Sequence, residues 1–232
     1  TLRSTGQAKS GLPVSYTLGA MKNIELLDAS ATAHDLVVVA FDMCSSSNMI
    51  EDLSRTGNLV AFDRLLKNLH AWLWNNAKQS GYVLYKFTGD GWIVLFPASE
   101  IDGNGLMRFL LRLSRQYKAF RERFIDKHLE SMPKAIGLTF GVEIGSLRKI
   151  VFGREVEFAG RELNVACRLQ AAVKDRGPDP DYRCLFSRKV FNSYLREVSD
   201  FKFFDVERSL RNINGGERYR CVKANLAKHV RT

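Results

Sequence analysis

Two kinds of apolar pattern alternate along this chain. Residues 35–42 read DLVVVAFD, a β-branched run bounded by acids, and predict a buried central strand. Then Leu59, Phe62, Leu65, Leu66, Leu69, Trp72 and Leu73 fall on one stripe at helical spacing. Two strand-type runs follow, YVLYKF and WIVLF, joined by Thr88-Gly89-Asp90-Gly91. A short Gly/Asp segment between such runs predicts a hairpin, which Pro97 ends. Residues 106–129 return to helical spacing, with Leu106, Leu110, Leu113, Tyr117, Phe120 and Phe124 as the buried stripe.

Further on, residues 135–144 and 150–158 predict neighbouring strands and residues 161–173 a helix. Residues 175–181, with two prolines, predict a loop. A strand over 182–186, a helix over 187–195 and strands over 201–206 and 218–222 complete the pattern. At the start, residues 1–14 are polar and predict a loose tail, with a short helix over 16–28. Interleaved helices and strands with a β-rich end predict an α/β (α+β) sandwich, a mixed sheet with helices packed against it. One domain, 15–232, takes in nearly the whole chain.

Composition changes this picture little. The chain has 232 residues and is 45% hydrophobic, enough for a core without staples. No apolar run approaches the roughly 18 residues of a membrane span, and the first residues lack a signal-peptide core, so the expected location is the cytoplasm. Cys44, Cys167, Cys184 and Cys221 form no CxxC pair and are expected to be reduced thiols. His34, His70, His128 and His229 are scattered as well, against a zinc site.

The formal charge of +10 favours anionic partners, phosphate-bearing small molecules or nucleic acid. Arg108, Arg112, Arg115, Lys118, Arg121 and Arg123 recur at helical spacing, as on a solvated helix face. Most aromatics fall on core stripes, so no nucleic-acid groove is expected.

Two acids stand out. Asp42 closes the central strand and Asp90 sits in the hairpin tip between two glycines. Taken singly, the first reads equally as a strand-end acid facing water and the second as turn chemistry. If the strands are adjacent, the two carboxylates converge, and two carboxylates with substrate phosphates suit Mg²⁺. Asn164 and Arg168, four apart in GRELNVACRL, share one helix face. An amide and a guanidinium there suit a ribose oxygen and a transferring phosphate, or else form a plain polar stripe.

In order and spacing, FDMCSSS, YKFTGDGWIVLF, FGVEIG and GRELNVACRLQAAV resemble the catalytic domain of class III nucleotidyl cyclases, over about residues 35–222. The resemblance implies a ferredoxin-like cyclase fold with a mixed, largely antiparallel sheet. It also implies two divalent metal ions, Mg²⁺ or Mn²⁺, held by Asp42, the Met43 carbonyl and Asp90. Asn164 would orient the ribose, Arg168 would stabilise the transition state, and Lys86 and Glu157 would read the base. The substrate would be a nucleoside triphosphate. The sites would form across a homodimer, the aspartates from one subunit and the other residues from its partner. There are departures. Ser45-Ser46-Ser47 replaces the usual Gly-Phe-Thr, Ser146 stands where an arginine is common, and NINGGERYR lacks a clear phosphate-binding lysine.

Lys86 argues against guanine. A lysine donor with a glutamate acceptor satisfies adenine, cytosine or uracil. The short chain, the serine loop and Trp92 resemble the stand-alone pyrimidine cyclases of Pycsar anti-phage defence. That resemblance ranks UTP first, CTP second and ATP third. The reading from another class is a non-catalytic nucleotide-binding sensor.

Overall fold

The computed structural model describes residue 27 and residues 31–153, 155–173, 182–213, 215 and 217–231. The expected tail over 1–14, helix over 16–28 and loop over 175–181 lie outside the described residues, Leu27 apart. Eight strands join in one sheet, with β2 (Val83–Phe87), β3 (Gly91–Pro97), β1 (Ala33–Met43), β4 (Leu138–Phe152), β6 (Arg183–Ser187), β8 (Arg218–Asn225) and β7 (Phe203–Ser209) in spatial order. The eighth, β5 (Glu155–Ala159), pairs with the far end of β4. Among the described residues, only β4 and β6 run parallel. The sheet is therefore mixed and largely antiparallel, as expected.

The central strand is buried on both faces, which is why its sequence is a continuous apolar run. Val37, Val39, Phe41 and Met43 face one side and pack with α2 (Val60–Ser80) and α3 (Gly103–Phe124). Leu36, Val38 and Ala40 face the other side, towards β5 and α4 (Arg161–Ala172). Full burial of one such side chain stabilises by about 1.5–3 kcal/mol, so this strand anchors both layers. Helix α4 sits close enough that a Cβ at Gly141 would lie 2.0 Å from the Ala166 carbonyl oxygen.

Several boundaries differ from the sequence pattern. Helix α1 (Ser46–Arg55) has no predicted counterpart, because only Met49 and Leu53 give it buried apolar positions. The strands expected over 135–144 and 150–158 are divided at Gly153 instead, since β4 stays paired with β1 as far as Arg148. The segment expected as one helix over 187–195 is a helical turn, α5 (Arg188–Val190), followed by a π turn over Phe191–Leu195. A last helix, α6 (Ala227–Arg231), has no counterpart in the sequence pattern either. Arg121 belongs to no solvated face: it is buried, and its guanidinium forms a salt bridge with Asp126 at 2.9 Å. No disulfide joins the four cysteines. No helix among the described residues is long and apolar enough to cross a membrane.

Candidate active site

The antiparallel register of β1 and β3 places Asp42 opposite Gly91, the residue after Asp90. The Met43 N–H donates to the Asp90 carbonyl at 3.3 Å. The two aspartates and Met43 thus lie together at one end of adjacent strands. Glycine is required at position 91, because a Cβ there would lie 1.9 Å from the Phe41 carbonyl oxygen. Gly89 takes φ +106, a conformation that side chains disfavour.

Alternation along β1 puts Asp42 on the α4 side of the sheet, with Leu36, Val38 and Ala40. Both aspartates are half-buried. The hydroxyl of Ser46, itself buried in the first turn of α1, donates to Asp90 Oδ2. Ser45, at the N-cap position of that helix, holds φ 56, a left-handed conformation that turns the chain straight out of β1. The serine loop therefore does more than replace bulkier residues.

Among the described residues, no three His, Cys, Asp or Glu side chains gather into a closed metal cage. The donor set is two carboxylates and nearby backbone oxygen. That set fits Mg²⁺ or Mn²⁺ completed by substrate phosphates and water, and does not fit a structural metal.

Lys86 and Glu157 come together on β2 and β5, strands that do not pair. The Lys86 ammonium lies 3.2 Å from Glu157 Oε2. Tyr85 joins them, its hydroxyl donating to the same oxygen. Hydrogen bonding from Tyr85, and then Lys86, outweighs partial burial and holds the Glu157 carboxyl below its usual range. Burial, with the hydrogen bond to Glu157, pushes the Tyr85 phenol up to about 12, so it remains a donor.

Asn164 and Arg168 are both exposed on α4. The helix runs antiparallel to β4: Glu162 lies beside Gly145, and Ala166 and Gln170 beside Gly141. Its end also reaches the Asp42 region, since Gln170 donates to Thr139 Oγ1 at 2.8 Å and Thr139 to the Asp42 carbonyl at 3.4 Å. Ser146 and Arg148 are exposed on β4. The pattern of the sequence missed Ser46 as a partner of Asp90, and Tyr85 altogether. For Tyr85 the sequence carried no signal, because its placement depends on a bulge. A cavity of about 590 Å³ lies elsewhere, lined by Trp72, Asn76, Arg108 and Arg112 among others and by none of the candidate residues.

No protein-family model matches the chain, and no curated protein matches it in sequence. The fold has solved counterparts. The adenylyl cyclase CyaB from P. aeruginosa aligns with a TM-score of 0.62 at 15% identity, over 83% of this chain and 94% of that one. The guanylyl cyclase Cya2 aligns at 0.59 and 12% identity, over 83% and 92%. The guanylate cyclase domain of RhGC from Catenaria anguillulae, in complex with GTP, aligns at 0.60 and 16% identity, over 84% and 98%. At these identities the likeness is one of architecture: the chain has the fold of adenylyl and guanylyl cyclase catalytic domains.

Proposed function

We propose that this protein is a nucleotidyl cyclase, converting a nucleoside triphosphate into a 3′,5′-cyclic nucleotide and pyrophosphate. The observation that carries the reading is the meeting of Asp42 with Asp90 across β1 and β3, within this fold. Chemically, the ribose 3′-hydroxyl attacks the α-phosphorus, its proton passes to water or a substrate phosphate oxygen, and pyrophosphate leaves in line. Asp42, the Met43 carbonyl and Asp90 would hold divalent ions, Mg²⁺ or Mn²⁺, whose chemistry is to acidify that hydroxyl and neutralise the triphosphate. Asn164 orients the ribose, and Arg168 stabilises charge on the α-phosphate. Lys86 donates to the base and Glu157 accepts from it.

The active form is a homodimer with sites shared between subunits. Supporting this are the exposure of Asn164 and Arg168 and of three large apolar side chains. Phe87, next to Lys86, is 50% exposed, and Val151 and Phe152, on the strand that pairs with β5, are 60% and 63% exposed. Large apolar side chains left exposed are what a second copy covers.

The preferred substrate is a pyrimidine triphosphate, UTP before CTP, in bacterial anti-phage signalling. Support for this is the serine loop together with a Lys/Glu base pair that disfavours guanine. ATP is the alternative. Incubation with each of the four ribonucleoside triphosphates and Mg²⁺ or Mn²⁺, with products read by mass, tests both points. A cyclic pyrimidine nucleotide is the expected product. Cyclic AMP alone overturns the base assignment, and nucleotide binding without turnover favours a sensor module.

A further inference from the structure

Strand β2 falls out of step with β3 at one residue. Leu84 pairs with Val94 and Lys86 with Ile93, so Tyr85 has no partner of its own. Directly opposed residues share a face of the sheet. Leu84 accordingly packs against the α2/α3 core with Val94. Regular alternation would send Lys86 to that same core. The extra residue instead turns Lys86 to the side of Ile93, the α4 side, and Tyr85 packs there too. Two consecutive side chains thereby project towards β5.

Tyr85 is the better anchored of the two. Its ring meets Phe158 edge-on, with centroids 5.4 Å apart. Its hydroxyl accepts from the Phe158 N–H at 2.9 Å and donates to Glu157 Oε2. Lys86, more exposed, reaches that carboxylate at 3.2 and 3.4 Å. One phenol therefore ties the backbone of β5 and the Glu157 carboxylate to β2, although along the sheet these two strands are separated by β3, β1 and β4.

We infer that Tyr85 is a positioning residue for base recognition, pinning the Glu157 carboxylate so that it and Lys86 present one fixed acceptor–donor pattern to the nucleobase. This rests on reading Lys86 and Glu157 as the base-contacting pair. An ionised carboxylate only accepts, so Glu157 reads an N–H of the base while Lys86 reads a neighbouring acceptor. Held by the phenol, the glutamate has its rotamer set before the base arrives. Without the phenol, nucleotide binding must itself order that side chain, and a mismatched base is tolerated by a different rotamer.

Tyr85→Phe keeps the ring against Phe158 and removes the hydroxyl. The test measures Kd for each of the four triphosphates by calorimetry with Ca²⁺, and KM and kcat for each with Mg²⁺ or Mn²⁺. Glu157→Gln serves as a comparison. For the preferred nucleotide, Kd and KM rise about tenfold, equivalent to about 1.4 kcal/mol. The disfavoured nucleotides change less than about twofold, so discrimination narrows on the binding side rather than in kcat. Equal losses for all four nucleotides, or unaltered discrimination, overturn the inference. If the wild type binds triphosphates with Tyr85-dependent discrimination yet forms no cyclic product, the inference stands and the cyclase reading falls. If cyclic product forms with discrimination indifferent to Tyr85→Phe, the inference falls and the cyclase reading stands. A wild type that binds no nucleotide overturns both.

Discussion

The Ser46 hydroxyl donates to the Asp90 carboxylate across forty-four positions of sequence, tying the first turn of α1 to the hairpin tip. A hydrogen bond to a charged acceptor contributes about 1.5–3 kcal/mol. Ser46→Ala leaves Asp90 less well oriented, and the apparent Mn²⁺ affinity, followed by electron paramagnetic resonance, is expected to fall about tenfold. Ser46→Thr retains the hydroxyl and should recover most of it. Equal Mn²⁺ affinity in all three proteins would separate Ser46 from any role in holding metal.

Asp42→Ala and Asp90→Ala each remove half of the carboxylate pair. Turnover is expected to drop by at least about a thousandfold, as when a group acting on transition-state charge is lost. Thermal melting should change little in Asp42→Ala, whose carboxylate is half-buried at a strand end, whereas Asp90→Ala also loses the Ser46 hydrogen bond and should melt several degrees lower. Substantial turnover in both variants would end the two-metal reading.

Mixing inactive Asp42→Ala with inactive Arg168→Ala tests whether sites are shared. A heterodimer carries one site with every residue intact, so activity should return to about a quarter of wild type, by random association of subunits. Demonstrated heterodimers without recovery would place each complete site within one chain.

Glu157 supplies a pH signature. Its folded carboxyl titrates below the usual glutamate range, held down by Tyr85 and then by Lys86 against partial burial. A depressed acid stabilises fully above its unfolded value, and that contribution is lost as pH falls through the lower folded value. Carbon NMR of the Glu157 carboxyl should therefore show a midpoint below the usual glutamate range that moves up in Tyr85→Phe. The stability gap between wild type and variant should narrow on acidification through this window. A midpoint unaffected by the variant would mean the phenol does not hold the carboxylate.

Gly141→Ala probes the seat of α4. The new Cβ would lie 2.0 Å from the Ala166 carbonyl oxygen and 2.2 Å from the Gln170 nitrogen, both backbone atoms that cannot swing aside. Overpacking of this kind costs about 1–3 kcal/mol or more. The melting temperature should fall by several degrees, and kcat should fall further than stability predicts, because α4 carries Asn164 and Arg168. A variant as stable as wild type would contradict the tight packing of helix on strand.

Apolar periodicity was enough to find β1, the β2–β3 hairpin and helices α2, α3 and α4, since each buries a long stripe whose spacing shows in the chain. It also announced Asp42, Asp90, Asn164 and Arg168, because strand end, hairpin tip and helix face are local positions. Short elements with few buried apolar residues, such as α1, left no such trace. The length of β4 was hidden for a different reason: pairing with Ala33 and His34 on β1 continues past Gly145, and pairing is not a local property. Asp42 and Asp90 became a pair only through the β1–β3 register. Lys86 reached Glu157 only because a bulge at Tyr85, stabilised by Phe158 and Glu157, reversed the face it would otherwise take. A bulge forms where tertiary packing and hydrogen bonding outweigh one lost ladder position. Here that packing comes from a strand seventy-two residues further along the chain, beyond the reach of any local pattern.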